Sequence, residues 1–60
     1  MNLYKVKVKG TPIEGHPEIT EDIVYTDVYA KFPQDAIMSI CFKYGLKSED
    51  ILEVWYEQTY

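Results

Sequence analysis

From Leu3 to Lys9 the chain alternates strictly. Tyr4, Val6 and Val8 fall on one side, and Lys5, Lys7 and Lys9 on the other. A repeat of two is the mark of a strand with one face buried and one wet, so this segment predicts a half-buried first strand. Gly10, Pro12, Gly15 and Pro17 then interrupt regular pairing, which predicts a loop over residues 10 to 21, longer than a tight hairpin turn, with Ile13 and Ile19 as anchors.

β-branched and aromatic residues crowd the stretch from Ile23 to Lys31, which predicts a second strand. Val24, Thr26, Val28 and Ala30 make its better core face, because both charges of the segment, Asp27 and Lys31, lie in the other set with Ile23, Tyr25 and Tyr29. Pro33 suits a first helical position, Asp35 complements the positive end of the helix dipole, and Gly45 is a natural stop. These signals predict a helix from Pro33 to about Tyr44, with Leu46 folding back on its last turn. Beyond a turn at Lys47 to Asp50, alternation resumes from Ile51 to Gln58, with Leu52, Val54 and Tyr56 inward and Glu53, Trp55 and Glu57 outward.

The order is therefore strand, strand, helix, strand: an α+β fold with a two-layer β-β-α-β arrangement. A right-handed crossover through the helix sets the second and third strands parallel, while the first runs antiparallel to the second. Two strand orders satisfy these links, 2-1-3 and 1-2-3. Order 2-1-3 places Lys5, Lys7 and Lys9 between Asp27 on one side and Glu53 and Glu57 on the other, where each opposite-charge pair adds roughly 0.2 to 1 kcal/mol. That order is the expected one, giving a mainly antiparallel three-stranded sheet with one helix on one face.

Sixty residues allow a single small domain with a thin margin of stability, because a chain of this length buries only about 60% of its unfolded surface. Cys41 has no second cysteine to bridge to and His16 no second histidine to share a metal with, so neither disulfide nor Cys/His cluster supports the fold. A good core or a partner must. The 47% hydrophobic content separates the chain from disordered segments. No apolar run reaches a membrane span and no signal-peptide pattern is present, so a soluble, cytoplasmic protein is expected. The net charge of −4 disfavours general attraction to nucleic acid or anionic membrane.

Three surfaces draw attention as protein-interface candidates. The sheet face away from the helix is expected to display Tyr25, Tyr29 and Trp55 among lysines and carboxylates, and such aromatics are typical interface anchors. They can equally serve only to stabilise the sheet around the lysine stems. Met38 and Phe42 lie one turn apart, away from the inward stripe of Ile37, Ile40, Cys41 and Tyr44, with Ala36 at that stripe's edge. Either the long loop covers this pair through Ile13 or Ile19, or a partner does. Phe32 stands where a helix usually has Ser, Thr, Asp or Asn, so it is expected to compensate by packing as a staple on Ala36 or Ile37, or in a partner's pocket.

Catalytic machinery is not visible. Cys41 falls on the buried stripe, His16 has no nucleophile or carboxylate pair around it, and Gly10 and Gly15 are wrongly spaced for a phosphate loop. No cofactor is expected. The reading is a non-enzymatic protein-binding module, self-associating, that acts as an inhibitor, adaptor or regulatory subunit on a larger protein, a kind of gene that phages and mobile elements commonly supply. Two alternatives stand beside it. One is single-stranded nucleic-acid binding by the aromatic and lysine sheet face, opposed by Asp27, Glu53 and Glu57. The other is mimicry of nucleic acid by the acidic clusters Glu14, Glu18, Glu21, Asp22 and Glu49, Asp50, Glu53, Glu57, for which a plain solvated face is the blander account.

Overall fold

A computed structural model describes residues 1–60. Strand β1 runs Asn2–Ile13, β2 His16–Ala30 and β3 Ile51–Thr59; helix α1 spans Pro33–Tyr44, and a 3₁₀ turn covers Ser48–Asp50. The sheet order is β2-β1-β3, with β1 antiparallel to both neighbours. This is the α+β arrangement expected from the alternation and the charge pairing. Lys5 Nζ reaches Glu57 at 2.9 Å on the β3 side, and Lys7 faces Glu53 in register.

Helix α1 begins at Pro33 with no side-chain cap and ends at Gly45, which takes a left-handed φ of 65°. The Gly45 and Leu46 N–H groups both donate to the Cys41 carbonyl, Leu46 at 2.9 Å, which closes the end of the helix. The core lies between α1 and one sheet face: Tyr4, Val6 and Val8 from β1, Val28 and Ala30 from β2, and Ala36 and Ile40 from α1 are all buried. Tyr25, Leu46, Ile51 and Val54 close its rim. The inward stripe of the helix is thus centred on Ala36 and Ile40, with Ile37 and Cys41 half-buried and Tyr44 partly exposed beside them.

The predicted loop over residues 10 to 21 is not a loop. β1 and β2 pair through it and turn at Glu14 and Gly15, where Gly15 has φ 84°. Proline is tolerated here because this ribbon stands beyond the end of β3, so a missing N–H interrupts no central ladder. Gly10 is fixed by a close approach of its partner strand: any Cβ at this position would collide with the Glu21 carbonyl oxygen. The result is a two-stranded arm that lengthens the molecule to 43 × 19 × 14 Å.

Three register shifts alter which residues face the helix. In β2 the partners step from Tyr4↔Val28 to Val6↔Tyr25, so β2 carries an extra residue, and Asp27 there adopts a left-handed φ of 58°. Alternation reverses beyond the bulge. Ile23 and Tyr25, expected outward, face the helix, whereas Val24 and Thr26, expected in the core, are exposed. In β3 the shifts between Leu3 and Tyr4 and between Lys7 and Val8 leave Glu57 and Leu52 as the extra residues. Ile51 therefore takes the core position opposite Val8, and Leu52, expected inward, is exposed.

Candidate functional site

The helix presents the most exposed apolar residue of the protein. Ala36 and Ile40 point into the core, and each residue two positions further along is rotated by ~200°, which turns Met38 and Phe42 to the opposite, outer side. Met38 is 55% exposed and Phe42 84%. Of the two alternatives for this pair, cover by residues 10 to 21 does not occur: the segment extends as the arm, and its Ile13 and Ile19 are themselves exposed. Phe32 is expected either to staple onto Ala36 or Ile37 or to enter a partner's pocket. It is 64% exposed and lies outside the buried core cluster.

The sheet face away from α1 carries Leu3, Lys5 and Lys7 on β1, Val24 and Tyr29 on β2, and Trp55 on β3. Leu3 is buried without belonging to the helix-side core, flanked across the strands by Tyr29 and Gln58. The Tyr29 ring in turn meets that of Tyr60, with centroids 5.9 Å apart. Tyr25 is missing from this face, because the bulge at Asp27 sends its ring under the helix end, where it stacks on Tyr44 at 4.3 Å. Val24 takes its place. With Lys5, Trp55, Tyr56 and Glu57 it lines a shallow depression of about 440 Å³. Periodicity alone misses Val24, since a period of two cannot register an inserted residue.

Electrostatically the open face is nearly neutralised. Glu57 hydrogen-bonds Lys5 and holds its ammonium above the ordinary lysine range. On the other side Asp22 accepts from Thr20 Oγ1 at 2.7 Å and from Gly10 N–H at 3.3 Å, and lies 3.9 Å from Lys7 Nζ. The Thr20 hydroxyl, then the Gly10 N–H, hold the Asp22 carboxyl below its ordinary value.

The titratable groups singled out in the sequence are scattered. His16 lies at the arm's tip, 3.5 Å from Glu18 and largely exposed. Cys41 is half-buried on the helix. No three side chains of His, Cys, Asp or Glu converge as a metal site would require. No helix is long and apolar enough to cross a membrane. No protein-family model, curated protein or solved structure matches the chain.

Proposed function

We propose that this chain is a non-enzymatic protein-binding module that acts as an inhibitor, adaptor or regulatory subunit by seating the outer face of α1 on a larger protein. The observation that carries this reading is Phe42, 84% exposed in the last turn of a helix whose core contacts lie on the opposite side. Exposing a phenylalanine gains the fold nothing and forfeits the roughly 1.5 to 3 kcal/mol that its burial provides. Met38 one turn away and Phe32 at the helix start widen the apolar area along the same element. Helices that dock into grooves use anchors at this i and i+4 spacing.

The nucleic-acid alternative has less behind it. Of its three stacking residues Tyr25 is withdrawn under the helix, and Lys5 and Lys7 are engaged by Glu57 and Asp22. The acidic-mimic alternative suffers from dispersal, with Glu14 and Glu18 at the arm's tip and Glu49 and Asp50 at the opposite end of the ribbon.

The test is affinity capture from the native host with tagged wild type and two single variants, Phe42→Asp and Trp55→Ala. The reading expects a discrete partner protein that is lost with Phe42→Asp and kept with Trp55→Ala. Retention by Phe42→Asp, or dependence on Trp55 alone, rejects the helix as the contact.

A further inference from the structure

The sheet has two open edges, and they differ. In the order β2-β1-β3 each outer strand pairs on one side only, so along its free side every second residue points its N–H and C=O to solvent. β2 is guarded against further pairing: Pro17 lacks an N–H, and Asp27 breaks the strand with its left-handed φ of 58°. β3 has neither a proline nor a lysine from Ile51 to Thr59. Its two extra residues, Leu52 and Glu57, bracket a stretch from Glu53 to Tyr56 that pairs with β1 without interruption.

Charge collects at the same edge. From Lys47 to Tyr60 one lysine stands against Glu49, Asp50, Glu53 and Glu57, so three of the chain's four net negative charges lie here. Glu57 is taken up by Lys5. Lys7 stands opposite Glu53 in register, but its ammonium lies 3.9 Å from Asp22, and Glu53 has no ion-pair partner.

The kind of neighbour β3 accepts is visible in the fold. Its inner side is filled by β1, whose Lys5 and Lys7 meet Trp55 and Glu53 on the open face, while Tyr4 and Val6 meet Tyr56 and Val54 on the helix face. Trp55 remains 37% exposed and Tyr56 58%. We propose that the free edge of β3 binds an extended segment of another protein in which lysine or arginine alternates with apolar residues, added as a strand beside Glu53 to Tyr56. Backbone hydrogen bonds supply the attachment. Alternation supplies the selectivity, with cations opposite Glu53 and Trp55 and apolar side chains beside Val54 and Tyr56. A second copy does not serve. Two β3 edges bring Glu53 and Glu57 of both strands together with no lysine in either, and the chain's lysine-alternating strand, β1, is already paired on both sides.

This edge is separate from the outer face of α1, and its occupancy does not depend on the reading given for Phe42. The probe is a labelled, end-blocked peptide with the sequence Asn2 to Lys9 of this chain, titrated with the whole protein and read by fluorescence anisotropy. Saturable binding with Kd below about 1 mM is expected, weakening as salt is raised. It should fall at least about tenfold for Glu53→Lys protein, and likewise for the peptide with every lysine replaced by glutamate. The peptide change tests the contact without touching the fold. Two further peptides carry N-methyl groups on the odd-numbered or the even-numbered residues; only one set of N–H groups faces β3, so their affinities should differ at least about tenfold. Phe42→Asp should bind the peptide within about threefold of wild type. Amide shifts should move from Glu53 to Tyr56 and not along β2. Absence of saturable binding, equal affinity for the glutamate peptide, methylated peptides that behave alike, or shifts confined to β2 overturn the proposal.

Discussion

The rings of Tyr25 and Tyr44 lie nearly parallel, 21° apart in plane with centroids separated by 4.3 Å, and so tie the last turn of α1 to the middle of β2. Stacked aromatic pairs contribute about 0.5 to 1.5 kcal/mol beyond the area they bury. A double-mutant cycle with Tyr25→Leu and Tyr44→Leu, read by denaturant unfolding, is expected to give a coupling in that range. A coupling indistinguishable from zero would mean that the two rings only share a neighbourhood.

Asp27 supplies a second check, because its φ of 58° and strand propensity pull in opposite directions. In a regular strand Asp27→Val would stabilise. In the left-handed bulge a β-branched residue is strained, and the change is expected to cost about 1 to 3 kcal/mol. Asp27→Gly, which suits that conformation, should remain within about 1 kcal/mol of wild type. If valine proves the more stable of the two variants, β2 has no bulge and Tyr25 belongs on the open face.

Gly10→Ala tests the arm itself. Its new Cβ cannot coexist with the Glu21 carbonyl at the present strand separation. Backbone must shift, so amide exchange at Thr11, Glu21 and their neighbours is expected to speed up, while Val6 and Val54 in the core keep their protection. Equal loss of protection throughout would show that arm and core unfold as one unit.

Asp22 gives a pH dependence with a definite sign. Its carboxyl is held below the ordinary 3.8, first by Thr20 and then by the Gly10 N–H. A lowered folded-state pKa means that the group's contribution is complete above the unfolded value and lost as pH falls through the folded one. Carboxyl chemical shifts should therefore show Asp22 titrating below the ordinary aspartate range. The melting difference between wild type and Asp22→Asn should shrink on acidification below about pH 4, the range of unfolded aspartate. A difference constant from pH 7 to pH 2 contradicts the bonding.

The sequence by itself determined the element order, the helix from Pro33 to Tyr44, the core face of β1 and the central place of that strand. Each rests on a local or pairwise signal: a period of two in Tyr4, Val6 and Val8, a proline and a glycine at the helix ends, and lysines that need carboxylates on both sides. Tertiary structure decided the rest. One extra residue at Asp27 exchanges Tyr25 for Val24 on the open face, and one at Leu52 brings Ile51 into the core. It also decided that Gly10, Pro12, Gly15 and Pro17 lie in a paired ribbon, and that nothing covers Phe42. Where a strand takes up an extra residue depends on fitting its partner across the twisted sheet, an interaction between distant segments. A hydrophobic pattern read along one segment does not contain it.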